Sequence, residues 1–147
     1  MLGTLAKWLI LLGHDVVYRS RIEDKELVRL ARREGRTLLT SDRRLVLRRD
    51  AADHILIRSH VLREQIRQVL DEKALPIRKD RLFRRCIKCN LGTRRVAKGS
   101  VREEVPPYVF RTQRRFTRCP RCGRIFWRAT HVGRMLADLQ DRLGGRV

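Results

Sequence analysis

Two aspartates of this chain follow segments that have the sequence of buried strands. Asp42 comes directly after the apolar run Thr37–Thr40 and Ser41, and Asp24 follows Val16–Tyr18 at the start of a helical pattern. In a parallel sheet the carboxyl ends of the strands share one edge, so we expect both acids at that edge. Clustered carboxylates favour a hard divalent cation, and Mg²⁺ or Mn²⁺ held in this way can activate water for attack on phosphate.

Both aspartates also have a purely structural interpretation. Asp24 is placed to cap a helix predicted over Lys25–Glu34, and Asp42 is placed to cap a short helical piece that follows it. Aspartate is a common capping residue because its side chain accepts a free N–H of the first helical turn. Glu23 and Glu26 flank Asp24 and could add ligands to a metal site. The sequence leaves the metal and capping interpretations open.

Four cysteines stand in two pairs with the spacing of metal-binding knuckles. Cys86 and Cys89 form the first Cys-x-x-Cys pair, Cys119 and Cys122 form the second, and 29 residues separate the pairs. Two such turns supply four thiolates to one tetrahedral ion and leave no open position for a substrate. The pattern predicts a structural Cys₄ zinc site. Iron or a redox-active dithiol is the alternative.

The net charge predicts a polyanionic partner. Thirty-six Lys and Arg against sixteen Asp and Glu give +20, and thirty of the basic residues are Arg. Arginine matches phosphate geometry, and arginines interleaved with aromatic residues suit single-stranded nucleic acid. The predicted nucleic-acid contacts are Arg43, Arg44, Arg111, Arg114, Arg115, Arg118, Arg121, Arg124, Trp127 and Arg128.

The aromatic residues near the second knuckle have a second interpretation, as the core of a small metal-bound fold. For Phe116 and Phe126 the core interpretation is favoured. For Trp127 and His131 the core and the nucleic-acid interpretations both stay open.

Alternating strands and helices predict an α/β fold with a parallel sheet flanked by helices, followed by a small zinc ribbon. The predicted strands of the sheet are Val16–Tyr18, Thr37–Thr40 and His54–Ile57, and the helices are Thr4–Leu12, Lys25–Glu34, Leu45–Arg49 and Val61–Leu70. The ribbon strands are predicted at Arg94–Ala97 and Tyr108–Phe110, with a final helix at Gly133–Leu143. At this size the ribbon needs its metal to fold.

Composition changes near Leu75-Pro76. Residues 78–128 hold seventeen basic and three acidic residues, a net charge of +14, whereas residues 1–77 carry +5. We therefore predict an α/β domain over residues 1–75 and a basic zinc ribbon with a C-terminal helix over residues 76–147. No signal peptide or membrane span is recognisable, so the cytoplasm is the expected location. The oligomeric state is not set by the sequence.

Several segments in combination resemble a known family. They are Met1–Leu9, Leu12–Asp15, Gly35–Asp42, the helix with Glu64-Gln65, the two cysteine pairs and Phe126–His131. The chain is similar over nearly its whole length to the PIN-like RNase domain first described at the C-terminus of a mutator-type exonuclease. The resemblance implies a PIN-like nuclease domain fused to a zinc ribbon, with RNA as the substrate. Asp42 matches the family's Thr-x-Asp acid, and Asp24 matches the acid that opens the second helix.

The resemblance also implies a first strand that precedes the Leu-Gly motif and ends in a further metal-binding acid. The chain begins at Met1-Leu2-Gly3 and does not include this strand and acid. Two interpretations stay open: the start is assigned too late, or the protein has lost part of its site. Three functions follow as expectations. The first is a Mg²⁺- or Mn²⁺-dependent ribonuclease, and the second is a non-catalytic RNA-binding or ribosome-associated protein. In both, RNA is the expected partner, with ribosomal RNA and tRNA as candidates. The third, a zinc-ribbon DNA-binding factor, is disfavoured because no recognition helix is evident.

Overall fold

The chain divides into two compact units. The computed structural model describes residues 2–50 and 53–128, together with 133, 134, 136, 137 and 141. Unit 1 comprises Met1–Ala6 and Tyr18–Leu75, and unit 2 comprises Lys7–Val17 and Pro76–Val147. Helix α1, Gly3–Leu11, begins in unit 1 and ends in unit 2. In the described part of the chain, no helix has the length and apolar character needed to cross a bilayer.

Unit 1 is built on a small parallel sheet. Strands β1 (Leu38–Thr40) and β2 (His54–Leu56) pair in parallel, with Leu39 opposite Ile55. The remaining regular elements of unit 1 are helices α2 (Asp24–Glu34), α3 (Arg43–Val46) and α4 (Leu62–Glu72). The predicted mixed α/β fold, with a parallel sheet flanked by helices, is confirmed.

Helix α2 packs against the sheet through its apolar face. Val28 is buried in one cluster with Leu38 of β1 and Leu45 of α3. The helix ends at Gly35, which has a φ of +61°, a left-handed conformation that glycine adopts without steric cost. Each buried Val or Leu contributes roughly 1.5–3 kcal/mol, so this cluster fixes β1 and with it the chain that leads to Asp42.

Unit 2 contains a three-stranded antiparallel sheet in the order β3-β4-β5. Its elements are β3 (Arg94–Val96), a 3₁₀ helix (Lys98–Val101), α5 (Pro107–Thr112), β4 (Phe116–Arg118) and β5 (Ile125–Phe126). Val101, Val105 and Phe116 form one buried cluster of this unit, and Trp127 packs against it. The core interpretation of Phe116 is therefore correct.

The strand predicted at Val16–Tyr18 is wrong, because this described segment forms no strand. The N–H of Val16 donates to Oδ1 of Asn90 at 3.2 Å. Val17 and Tyr18 are 40% and 48% exposed. A side chain thus satisfies a backbone donor that a neighbouring strand would otherwise have to pair. Three consecutive β-formers alone did not determine a strand.

The strand predicted at Tyr108–Phe110 is also wrong, because these residues lie in helix α5. Pro107 occupies the first helical turn, where its fixed φ suits a helix and its missing N–H costs nothing. The N–H of Phe110 then donates to the carbonyl of Pro106 at 3.0 Å. Only five residues of the helix predicted over Gly133–Leu143 belong to the described part of the chain. His131 lies outside the described residues.

Candidate functional site

The four cysteines converge in unit 2. Their sulfur atoms all lie within 4.8 Å of one another, and Sγ of Cys86 is 3.7 Å from Sγ of Cys122. Tetrahedral zinc with Zn–S bonds of about 2.3 Å separates its sulfurs by about 3.8 Å. None of the four cysteines forms a disulfide. The group therefore fits the predicted zinc site.

The two knuckles share one backbone geometry. The residue four positions after the first cysteine donates its N–H to that cysteine's carbonyl, Asn90 to Cys86 at 2.8 Å and Gly123 to Cys119 at 3.0 Å. Both donors have a positive φ, +55° at Asn90 and +71° at Gly123. Gly and Asn are the residues that adopt this conformation most readily. The same spacing in the sequence therefore marks Asn90 as the counterpart of Gly123.

The pKa values of three of the cysteines are shifted from that of a free thiol. Burial raises the pKa of Cys86, and burial together with the neighbouring thiols raises the pKa of Cys89 to about 12. Burial also acts to raise the pKa of Cys119, but N–H donors from Cys122 and Arg121 outweigh it and lower the pKa to about 7. Four thiolates at this separation repel one another, so a bound divalent ion is what lets all four ionise together.

Asp42 lies at the carboxyl end of β1 and caps helix α3. Its Oδ1 accepts the N–H of Arg44 at 2.7 Å, and its own N–H donates to Oγ1 of Thr40 at 3.0 Å. The helix begins at Arg43, two residues before the predicted start at Leu45. The other carboxylate oxygen, Oδ2, makes no hydrogen bond to the described residues. Asp42 is exposed, and one of its two carboxylate oxygens is used in capping.

Asp24 is the first residue of α2 and not its cap, so that prediction is wrong. The cap position is held by Glu23, which has extended backbone angles and makes no capping hydrogen bond through its side chain. Asp24 is exposed. The pKa of Arg48 is raised, first by the hydrogen bond and the charge of Asp50. The charge of Asp24 makes a smaller contribution in the same direction. The field of Asp24 thus reaches the segment that follows α3.

The acids of the described part of the chain form no group of three or more that could hold a metal ion. Among the residues that the structure describes, the four cysteines are the only group of three or more potential metal ligands. Asp24 and Asp42 therefore do not combine with Glu23 or Glu26 in such a group. The use of Asp24 and Asp42 as a pair stays a prediction.

Unit 1 has a cleft at the carboxyl ends of its two strands. The cleft measures about 250 Å³, and its polar lining residues are Thr4, Ser41, Ser59, His60 and Gln65. Ser41 directly follows β1, and parallel sheets bind ligands at this edge. A larger cleft of about 280 Å³ lies before the strands, beside Gly35 and Asp53. The smaller cleft is the better candidate because it lies at the edge where Asp42 leaves β1.

The predicted basic contacts occur in both units. Arg43 and Arg44 form the exposed first turn of α3 in unit 1. Those of unit 2 that are exposed are Arg111, Arg114, Arg115, Arg121, Arg124 and Arg128. Arg118 is half-buried and donates to both carboxylate oxygens of Glu104 at 2.7 and 3.0 Å. Its guanidinium also donates to the carbonyl of Gly123 at 3.1 Å, so it fixes the turn of the second knuckle.

A family model described as the Mut7-C RNAse domain matches residues 1–139. The chain belongs to the Mut7-C RNAse domain family. Searches of curated proteins and of solved structures gave no significant match. Membership confirms the resemblance found in the sequence. It indicates an RNase-type function with RNA as the substrate.

In this Mut7-C RNAse domain, helix α4 shapes the cleft of unit 1. Oγ of Ser59 donates to Oε2 of Glu64 at 2.5 Å and accepts the N–H of Val61 at 3.0 Å. Nε2 of Gln65 donates to the carbonyl of Ser59 at 2.8 Å. The Glu64-Gln65 segment that carried part of the family resemblance thus fixes one wall of the cleft. Sequence reasoning did not place Ser59, His60 or Gln65 at a site, because their neighbours at the strand ends are distant in sequence.

The aromatic residues of the Mut7-C RNAse domain divide into packed and exposed ones. The rings of Phe116 and Trp127 have centroids 6.4 Å apart at an angle of 59°, so Trp127 contacts the core of unit 2. Tyr108 is 67% exposed. For Trp127 the sequence left the core and nucleic-acid interpretations open, and it placed Tyr108 on a strand.

Proposed function

We propose that this chain is a metal-dependent ribonuclease of the PIN-like type, in which Asp24 and Asp42 hold Mg²⁺ or Mn²⁺. One combined observation carries the proposal: a chain of the RNase family, matched over residues 1–139, has Asp42 at the carboxyl end of β1. Parallel sheets bind ligands at that end. The site matters here because a fold alone does not imply a function.

The donor chemistry of Asp42 supports a hard cation. Carboxylate oxygens are the ligands that Mg²⁺ prefers in proteins. Oδ1 of Asp42 accepts the N–H of Arg44 at 2.7 Å, which orients the carboxylate and leaves Oδ2 for a metal. When bound, Mg²⁺ or Mn²⁺ supplies charge stabilisation and an activated water for attack on a phosphodiester. The exposed guanidinium groups of Arg43 and Arg44 can bind the phosphates on either side.

The connection between α2 and β1 supports Asp24 as the second acid. Helix α2 is followed within three residues by β1, and Val28 packs against Leu38. A helix joined to a strand by so short a loop and packed on it runs antiparallel to that strand. The start of α2, where Asp24 lies, therefore points toward the carboxyl end of β1.

The positive charge of unit 2 supports a role in holding RNA. Six of the arginines predicted as contacts in unit 2 are exposed and have no ion pair with an acid in the described part of the chain. An arginine without an acidic partner retains its positive electrostatic field and can bind a phosphate bidentately. The zinc site would stabilise the fold that carries them.

The substitution Asp42→Asn tests the catalytic role. Asparagine caps a helix about as well as aspartate, so α3 should persist while the carboxylate charge is lost. We expect cleavage of single-stranded RNA in Mn²⁺ to fall by about 100-fold or more, since a metal site supplies several kcal/mol to such reactions. Asp24→Asn should have a similar effect. Cleavage that stays at the wild-type rate in Asp42→Asn would overturn the mechanism.

A matched control shows whether the fall in cleavage rate is specific to Asp42 and Asp24 or follows the removal of any acid from unit 1. Asp50 is a unit 1 acid bound to Arg48, with Oδ1 of Asp50 and Nε of Arg48 3.0 Å apart. Asp50→Asn should leave the cleavage rate unchanged. Thermal unfolding of all three variants should follow that of the wild type.

The second candidate function is a non-catalytic RNA-binding protein. It is favoured by one observation: among the described residues, no third acid joins Asp24 and Asp42 in a metal-binding group. RNA binding that weakens steeply with salt and shows no turnover in Mg²⁺ or Mn²⁺ would establish it. Competition between duplex DNA and single-stranded RNA would test the DNA-binding alternative.

A further inference from the structure

Tyr108 is the exposed aromatic residue among the described rings of unit 2. It is 67% exposed, whereas Phe116 is buried and Trp127 packs against Phe116. The ring of Phe110 is covered by cations, with Nζ of Lys98 4.8 Å and Cζ of Arg102 5.8 Å from its centroid. Of these rings, Tyr108 has the most accessible faces.

The backbone beneath Tyr108 is held in place. Oγ1 of Thr112 donates to the carbonyl of Tyr108 at 2.9 Å. The next two residues, Val109 and Phe110, pack against the buried core of unit 2. Pro107 fixes the first turn of α5. The ring therefore projects from a supported helix, so little backbone order has to be gained when a ligand binds.

Cations without acidic partners follow Tyr108 in the sequence. Arg111 lies three residues further along α5, which puts it on the same helix face as Tyr108. Arg114 and Arg115 come directly after the helix. All three arginines are exposed, and none forms an ion pair with a described acid. The surface thus offers one aromatic ring beside several groups that bind phosphate.

We propose that Tyr108 is a base-stacking platform for single-stranded RNA, with Arg111, Arg114 and Arg115 contacting the adjacent phosphates. The proposal rests on the RNA-binding role proposed above and names the element that would carry it. Every base has a π face, so stacking on Tyr108 would tolerate many sequences, while the arginines would follow the backbone. An RNA strand fits this surface better than an apolar protein partner does, because the exposed ring is accompanied by unpaired positive charge.

The test compares a ligand that has bases with a polyanion that has none. The zinc-loaded full chain is titrated against a fluorescent 2′-O-methyl oligouridine and against fluorescent heparin, in buffer free of Mg²⁺ and Mn²⁺. For Tyr108→Ala we expect about tenfold weaker binding of the oligonucleotide, the loss typical of one stacked base, and unchanged binding of heparin. Tyr108→Phe retains the ring and should bind both ligands as the wild type does. Tyr108→Leu keeps apolar bulk without a π face and should resemble Tyr108→Ala.

An exposed tyrosine of unit 1 provides the matched control. Tyr18 is 48% exposed, and Tyr18→Ala should leave the affinity for oligonucleotide unchanged. Equal oligonucleotide affinity for Tyr108→Ala and wild type would overturn the proposal. So would an equal loss for heparin, which would indicate a change in charge or fold. Because the oligonucleotide resists cleavage and no catalytic metal is present, an inactive nuclease would leave this result unaffected.

Discussion

The two units differ in how many of their basic residues form ion pairs with acids. In unit 1 acids are interspersed with the basic residues, and several cations are paired. The described pairs are Arg33–Glu34, Arg36–Glu34, Arg48–Asp50, Arg58–Glu72, Arg67–Asp71 and Lys73–Asp53. In unit 2 the described pairs are Arg78–Asp80 and Arg118–Glu104. The remaining arginines around the second knuckle have no acid partner among the described residues.

This difference separates a unit with several ion pairs from a unit with many unpaired arginines. Exposed ion pairs add little to stability, about 0–1 kcal/mol each, but they cancel the field of both partners. Unpaired arginines retain that field and attract polyanions. In unit 2 the described ion pairs involve only Arg78 and Arg118, and Val101, Val105 and Phe116 form one buried cluster. A metal held by the four cysteines would add to the stability of this unit.

Removal of zinc should produce the largest effect, which is the loss of folded structure in unit 2. Binding of structural zinc is worth roughly 10–16 kcal/mol in small metal-dependent folds. Both tryptophans, Trp8 and Trp127, lie in unit 2. A chelator, or the substitution Cys119→Ser, should shift the tryptophan emission to longer wavelength and abolish RNA binding. Elemental analysis of the untreated chain should find one zinc per molecule.

The exposed knuckle residue Lys88 provides the control for the cysteine substitution. It lies inside the first Cys-x-x-Cys turn but supplies no sulfur. Lys88→Ala should leave the tryptophan emission and zinc content unchanged. A chelator that leaves the emission of the wild type unaltered would contradict a structural role for the metal.

Neutralising three arginines in each unit tests whether unpaired arginines contribute more to RNA binding than paired ones. We expect the triple change of Arg111, Arg114 and Arg115 to Gln to reduce the slope of log affinity against log salt by about 2, since each phosphate contact to a single strand contributes about 0.7. The matched triple change in unit 1 replaces Arg33, Arg48 and Arg67, which are already paired with acids.

The unit 1 variant should leave the salt slope close to that of the wild type. Fluorescence anisotropy of a single-stranded RNA at several salt concentrations measures both slopes. Equal losses from the two sets would mean that pairing with acids does not decide which arginines bind RNA.

The smallest expected effect is a pH dependence of stability that arises in unit 2. Burial, followed by the charges of Arg81 and Arg85, lowers the pKa of His14, whose Nε2 is buried without a partner among the described residues. The unfolded chain therefore takes up this proton first as pH falls below about 6.5, and the free energy of unfolding decreases until the folded pKa is reached. The loss is about 1.4 kcal/mol for each unit by which the two pKa values differ.

Urea unfolding of zinc-loaded protein between neutral and mildly acidic pH measures this dependence. His14→Gln should flatten it, whereas the exposed His60→Gln should not. An identical pH dependence in wild type and His14→Gln would assign the effect to another group.

Local patterns were sufficient where neighbouring residues set the geometry. The spacing within each Cys-x-x-Cys pair predicted the metal group, and the run Thr37–Thr40 followed by Asp42 predicted a strand that ends in an acid. Local patterns failed where a distant residue competed. Val16–Tyr18 has strand composition, but the side chain of Asn90 satisfies its first N–H. The helix at Tyr108 was set by Pro107, which outweighed the apolar residues after it.

By itself the sequence determined the order of helices and strands from α2 to α4, the four thiolates and the family, because each is encoded within short segments of the chain. Only the tertiary structure decided which groups remain accessible: the packing of Trp127 against Phe116, the exposure of Tyr108 and the pairing of Arg118 with Glu104. It also decided that the polar residues after β1 and β2 line one cleft. Accessibility depends on contacts between segments far apart in sequence, and burial energy selects those contacts only when the whole fold forms.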